Sequence, residues 1–265
     1  MIGKGAQCEV FAWGEIRVLK LFRPGADLRW IENEVQVTTL AHDTGLPAPR
    51  VYGIVEVEGR KGIVLERISG PDLAAELISH PERASELGCL LADLHARIHC
   101  NVLAGLPSQR DHFRRTFLLP GPLKPAEADY FLGLLECLPD GVAVCHGDLN
   151  VKNVILSPSG PVIIDWDSAR SGNPAADVAR TVLLMDTAKY HAREVCPDIA
   201  EDTVGALMAS VRDAYLARYY EVTNVNPDEV SAWMPVVVAA RLRDGGTVEE
   251  QAIRAAVLSY MRGEE

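Results

Sequence analysis

The sequence predicts an α+β chain in two parts: a small β-rich N-terminal lobe over residues 1–68 and a larger, mainly helical C-terminal lobe over 69–265. Three observations carry this reading. Short apolar runs separated by turn residues crowd the first part, whereas apolar residues at helical spacing dominate the second. The change of character falls at Ile68-Ser69-Gly70-Pro71. A length of 265 residues is ample for two lobes, and a chain of that size buries enough surface to fold without disulfide staples.

Within the first part, Glu9–Trp13 and Ile16–Phe22 read as strands joined at Gly14-Glu15, a hairpin signal. Asp27–His42 reads as a helix with Leu28, Ile31 and Val35 on one stripe, ended by Gly45-Leu46-Pro47-Ala48-Pro49. Val51–Glu56 and Gly62–Ile68 form a second strand pair that turns near Glu58-Gly59-Arg60. Beyond Pro71, Pro81–His99 carries Leu87, Leu90, Leu91, Leu94 and Ile98 at helix spacing, with Pro81 suited to a first turn. Residues 100–124 read as loop and Pro125–Leu138 as a helix. Val142–Cys145, Val154–Leu156 and Val162–Ile164 are short strands around a loop, and helices follow from Ala175 through Thr203–Tyr220, Asp228–Arg243 and Val248–Arg262.

A net charge of −11 argues against nucleic acid as a partner, because a phosphate backbone demands a basic footprint. Six cysteines occur with no CxxC pair among them and read as reduced, mostly buried thiols. No apolar run approaches the ~18 residues of a membrane span, and no charged-then-apolar leader pattern opens the sequence, so the expected location is the cytoplasm.

The strongest motif is His146-Gly147-Asp148-Leu149-Asn150-Val151-Lys152-Asn153, with Asp165 twelve residues further on at the end of Pro161-Val162-Ile163-Ile164. Phosphoryl transfer needs such a set. One carboxylate must orient a hydroxyl and take its proton, and hard oxygen ligands must hold a divalent cation against phosphates. Asp148 and Asn153 match the H-x-D-x-x-x-x-N spacing of kinase catalytic loops. Single Asx residues in turns are common; three at this spacing after a His are not.

These residues, with Ile164-Asp165-Trp166-Asp167, resemble the aminoglycoside phosphotransferase and choline kinase family, a small-molecule branch of the protein-kinase-like fold. The resemblance implies a bilobal kinase-like architecture, with Asp148 as the catalytic base and Asn153 and Asp165 as Mg²⁺ ligands. It also orders the N-terminal lobe. Gly3-Lys4-Gly5-Ala6-Gln7-Cys8 is similar to the family's phosphate-covering loop, with Gly3, Gly5 and Cys8 against the nucleotide and Cys8 where many relatives carry Ser. Relatives have a further strand ahead of this loop; two residues precede Gly3 here. Lys20, after Val18-Leu19, resembles the strand lysine that binds α- and β-phosphates and pairs with a helix glutamate. Periodicity leaves Glu32 and Glu34 both open for that pairing, and the family's spacing to Gly45–Pro49 favours Glu34. Gly62–Ile68 resembles the strand that enters the hinge, which implies the Glu66 carbonyl and Ile68 amide at the adenine edge with Leu65 behind it. Asp177, opening a helix after Gly172-Asn173-Pro174, is expected to brace the catalytic loop, and His95 to pack or cap.

The implied activity is transfer of the γ-phosphoryl of ATP, or GTP, to a hydroxyl of a small acceptor such as an aminoglycoside or amino alcohol, with Mg²⁺ as cofactor and neither nucleic acid nor membrane as partner. The net charge favours a cationic acceptor. The region between His99 and Pro139 and the helices after Ala175 are expected to line the acceptor cleft. A non-catalytic nucleotide-binding regulatory module on the same fold is the alternative, disfavoured by the full set of Lys20, Asp148, Asn153 and Asp165. A protein kinase is disfavoured by Trp-Asp-Ser-Ala-Arg after Asp165, where D-F-G would stand.

Overall fold

In the computed structural model, which describes residues 2–4, 7–195, 198–244 and 248–264, the chain forms two compact units. One comprises residues 1–78 with 151–169, and the other 79–150 with 170–265. The division by contact is thus discontinuous in sequence: the segment after Asn150 leaves the second unit, joins the first, and returns at Arg170.

The first unit is built on a five-stranded antiparallel sheet, β1 (Gly3–Lys4), β2 (Cys8–Ala12), β3 (Arg17–Phe22), β4 (Val51–Val57) and β5 (Arg60–Glu66), in the order β1-β2-β3-β5-β4. The β4–β5 hairpin closes in two residues, Glu58 and Gly59, both at positive φ (51° and 73°). That matches the right-handed twist of the flanking strands, and Gly59 makes it cheap. Side-chain alternation gives β3 two apolar faces. Leu19 and Leu21 pack with Val64 on one face. Phe22 packs with Ile63 and with Ile31 of helix α1 (Leu28–Asp43) on the other. Lys20 shares the parity of Phe22, so its side chain also rises on the α1 side. Asp27 caps α1 through its carboxylate on the Arg29 amide. Helix α2 (Leu73–Ser79) and the hairpin β7 (Val154–Ser157)–β8 (Gly160–Ile163) complete the unit.

The second unit is helical. It contains helices α3 (Ala84–His99), α4 (Gln109–Leu118), α5 (Pro125–Cys137), α6 (Pro174–Thr187), α7 (Ala192–Val195), α8 (Glu201–Val222), α9 (Pro227–Asp244) and α10 (Glu250–Arg262), of which α3, α4 and α6 pack on a two-stranded sheet of β6 (Ala143–Cys145) and β9 (Arg170–Gly172). Among the described residues, short 3₁₀ turns occur at Pro81–Arg83, Trp166–Ser168 and Ala188–His191. Among the described residues, no helix is long and apolar enough to cross a membrane.

Two helices depart from the sequence expectation. Residues 100–124 contain α4, whose buried residues are Gln109, Phe113, Thr116 and Phe117, so that its apolar stripe is two phenylalanines among arginines, with Ser108 capping through its hydroxyl on the Asp111 amide. Helix α2, only seven residues long, holds on Leu73 and Leu77. Both are too short or too polar to announce themselves by periodicity.

Helices α3 and α8 pack so closely that Gly88 leaves no room for a methyl group. A Cβ there would lie 2.5 Å from the Val211 carbonyl oxygen and 3.0 Å from the Ala214 Cβ. Helix propensity alone would make Gly88→Ala stabilising by about 1 kcal/mol. Backbone overpacking costs about 1–3 kcal/mol and opposes it. We expect Gly88→Ala to lower the urea midpoint of unfolding; a raised midpoint would show that the helices separate freely.

Candidate active site

In the first unit, β3 and α1 bring a cation and a carboxylate together. The Lys20 Nζ donates to Glu34 Oε1 and to Asp165 Oδ1, each at 2.6 Å. Glu34 is buried and Glu32 exposed, so it is Glu34 that meets Lys20. Burial tends to lower the Lys20 pKa, but Asp165 and Glu34 outweigh it and hold the ammonium charged well above its ordinary range. Burial likewise pushes the Glu34 carboxyl up to about 7, with Lys20 opposing.

Asn153 and Asp165, twelve residues apart, are brought together by a hairpin. Val154 pairs with Ile163 at the mouth of β7–β8, and the Ile164 amide donates to the Asn153 carbonyl at 2.9 Å. Asn153 is buried. Asp165 follows at φ 65°, ψ 58°, a left-handed conformation that Asp tolerates better than most residues. The indole of Trp166, fully buried and donating to the Ile163 carbonyl at 2.9 Å, anchors the chain just beyond it.

Of the remaining residues expected at the nucleotide, Gly3 lies in β1 opposite Val10, which pairs in turn with Lys20, so Gly3 and Lys20 share one register line two strands apart. Gly5 lies outside the described residues. Cys8 sits within β2 opposite Phe22, and burial raises its thiol pKa, so it stays protonated. Leu65 and Glu66 end β5, where the Glu66 carboxylate accepts from the Arg50 amide at 3.1 Å and is thereby committed to its own lobe. Ile68 lies two residues past the strand, half-buried.

In the second unit, the loop after β6 is held by one face of α6. Asp177 accepts from the amides of His146 (2.6 Å) and Gly147 (2.8 Å), Thr181 Oγ1 donates to the Leu149 carbonyl at 2.9 Å, and Arg180 Nη2 stands 3.7 Å from Asp148 Oδ1. These helix positions are i, i+4 and i+3, which share a face. Gly147, at φ 80°, makes the turn that an L side chain would strain. Asn150 donates to the Asp148 carbonyl at 2.9 Å and to its carboxylate at 3.2 Å, which steadies that side chain.

Beneath the loop lies a buried network. His95 and His99, one turn apart on α3, both donate from Nε2 to Asp177 Oδ2, at 2.9 and 3.2 Å. Their Nδ1 atoms meet the Tyr215 and Tyr219 hydroxyls at 2.7 and 2.6 Å. His95, Asp177 and His99 have the spacing of a metal site, but the carboxylate can only accept, so each Nε2 carries a hydrogen and its lone pair is not on offer. Burial opposes ionisation of Asp177, yet the two histidines hold it well below the usual carboxylate range. Burial pushes His95 down to about 4. The sequence pointed to Asp177 and His95; it did not single out His99, Arg180 or Thr181.

The sheet order and these pairings define a kinase-like phosphotransferase fold. The chain belongs to the phosphotransferase enzyme family, whose model matches residues 9–233. It is 29% identical to viomycin phosphotransferase of Streptomyces vinaceus over 44% of this chain and 48% of that one, so it spans about half the length of that curated relative. Its fold is similar to that of aminoglycoside 3′-phosphotransferase of type VIII, with a TM-score of 0.61 at 19% identity over 91% of this chain and 92% of the other. It is also similar to aminoglycoside phosphotransferase APH(3″)-Id of Streptomyces rimosus, with a TM-score of 0.54 at 20% identity over 85% and 86%, a protein also solved with ADP and streptomycin.

The neutral buried histidines fix a pH dependence. His95 is held near 4 and His112 near 3, both by burial first, against an ordinary 6.5. Between those values the unfolded chain binds protons that the fold refuses, so stability falls as pH drops below about 6.5, by up to about 1.4 kcal/mol per pH unit for each group. Asp177 works at lower pH: its depressed pKa contributes stability above about 3.8 that is lost as pH falls further. The urea midpoint should decline from pH 7 to pH 5, and His95→Gln should flatten that slope. A midpoint independent of pH over this range would contradict the neutral assignment.

Proposed function

We propose that the chain is an ATP-dependent kinase that phosphorylates a hydroxyl of a small molecule, with Asp148 as the base. The observation that carries the reading is the Lys20 ammonium held between Glu34 and Asp165 at 2.6 Å from each. It is a pre-set, fully charged group of the kind that steadies phosphates, paired as a kinase strand lysine is. Residues 1–68 are assigned to the nucleotide and residues 69–265 to catalysis and the acceptor, except that Asn153 and Asp165 belong by contact with the first group.

In this reading Asp148 accepts a hydrogen bond from the acceptor hydroxyl and takes its proton as the oxygen bonds the γ-phosphorus. The bond to the β,γ-bridging oxygen breaks and ADP leaves. Asn150 and Arg180 keep the Asp148 carboxylate in place, and Asp177 keeps its backbone in place. Lys20 binds the α- and β-phosphates. Asn153 and Asp165 offer one amide oxygen and one carboxylate, a hard-oxygen set suited to Mg²⁺, and Asp165 already holds a cation in the form of Lys20. When bound, Mg²⁺ neutralises charge on the phosphates. The likeness to proteins solved with ADP, and with AMP-PNP and Ca²⁺, supports nucleotide and divalent metal together.

Asp148→Asn should cut ADP release by roughly 10²–10⁴-fold with an unchanged unfolding midpoint. Asp165→Ala should abolish the Mg²⁺-dependent part of ATP affinity measured by titration calorimetry. Near-normal turnover in the first variant, or wild-type Mg²⁺ dependence in the second, would remove those roles.

A further inference from the structure

Asp177 sets the register of the loop that carries Asp148, because it bonds the amides of the two residues just ahead of the base, His146 and Gly147. Asp177 is itself oriented from α3. Its Oδ2 accepts from the His146 amide at 2.6 Å, from His95 at 2.9 Å and from His99 at 3.2 Å, and its Oδ1 accepts from the Gly147 amide at 2.8 Å. The two imidazoles lie side by side with centroids 4.1 Å apart. On the far side of His99, the Tyr219 hydroxyl meets Nδ1 at 2.6 Å, and the phenol ring stands edge-on to the imidazole at 88°. Burial raises the Tyr219 phenol well above its ordinary range, so it keeps its hydrogen.

His99 is thus held at both nitrogens. A carboxylate only accepts, so Nε2 carries a hydrogen whichever way the hydrogen lies between Nδ1 and the Tyr219 oxygen. The hydrogen bond at one ring nitrogen fixes what the other presents. Helices α3 and α8 approach closely enough for this because residue 88 is glycine: a Cβ there would lie 3.2 Å from the Tyr215 amide nitrogen. An imidazole pinned at both ends cannot turn, so the direction of its N–H is a fixed input to Asp177. Any error in the placement of His146 and Gly147 passes to Asp148 within two peptide units. A misplacement of about 1 Å can cost about 10²-fold in rate.

We propose that His99, aimed by Tyr219, is a positioning residue of this reaction: its Nε2–H keeps the Asp177 carboxylate aligned with the loop amides and so holds Asp148 where it can take the acceptor's proton. This rests on the kinase reading with Asp148 as base and adds a residue to that same site. His99 acts through Asp177 and the loop backbone, and it exchanges no proton with the acceptor.

The test compares His99→Asn with His99→Gln. The amide nitrogen of Gln can stand where Nε2 stood, and that of Asn only where Nδ1 stood. Both variants lose the same ring, so a role in packing alone would affect them alike. ADP release is measured with Mg²⁺–ATP and whichever neutral sugar, amino alcohol or aminoglycoside the wild-type chain turns over. His99→Asn should lower kcat about tenfold or more, and His99→Gln should recover most of that loss. KM for Mg²⁺–ATP should move less than about twofold in both, because the residues assigned to the nucleotide lie in the first unit. Tyr219→Phe should fall between them. Equal kcat in His99→Asn and His99→Gln, or a wild-type kcat in His99→Asn, would overturn the inference and leave the kinase reading intact. A second measurement needs no acceptor: backbone amide exchange in the substrate-free chain. The His146 and Gly147 amides should exchange faster in His99→Asn than in His99→Gln, while the α8 amides keep wild-type protection. Unchanged exchange at His146 and Gly147 would overturn the inference whatever the activity. No ADP release by the wild-type chain with any of these acceptors would overturn the kinase reading itself, and this inference with it.

Discussion

The carboxylate of Asp177 takes in four N–H donors: two backbone amides of the loop that carries Asp148, and the imidazoles of His95 and His99. A buried, unpaired carboxylate is among the most costly groups a fold can contain, and a half-satisfied one is little better. Here the cost is offset because every donor is pre-placed. The two histidines stand one turn apart on α3, and the two tyrosines that orient them stand one turn apart on α8, so the close approach of those helices over Gly88 sets the site's foundation. The loop backbone, bearing a left-handed glycine, has no regular structure of its own to hold it, and α6 supplies that hold with Asp177 below and Thr181 further along.

The first unit answers with a second charge centre of a different kind. Lys20 is charged and only slightly exposed, Glu34 is buried, and Asp165 is the partly exposed member at 42%. The buried carboxylate meets the lysine from α1, and the partly exposed one meets it from beyond the β7–β8 hairpin. That asymmetry follows from β3 alternation, which puts Lys20 over α1, and from the β7–β8 hairpin, which puts Asp165 beside Asn153.

Much of this was legible in the sequence because the chemistry is concentrated in short, spaced motifs. His146–Asn153 and Asp165 needed only their spacing, and every helix long enough to show a stripe appeared near its expected place. The pairing of Lys20 needed the structure: Glu32 and Glu34 flank the same stripe, and only burial separates them. Residues 100–124 hid α4, whose two phenylalanines are a thin signal among arginines.

The central claim is that a phosphoryl group travels from nucleotide to acceptor oxygen. Mass spectrometry of the acceptor after incubation with ATP labelled with ¹⁸O at the non-bridging γ-oxygens tests it most directly. The account predicts a phosphorylated acceptor carrying all of the label, with no unlabelled phosphate ester. Label found only in inorganic phosphate, with the acceptor unchanged across every class offered, would contradict it.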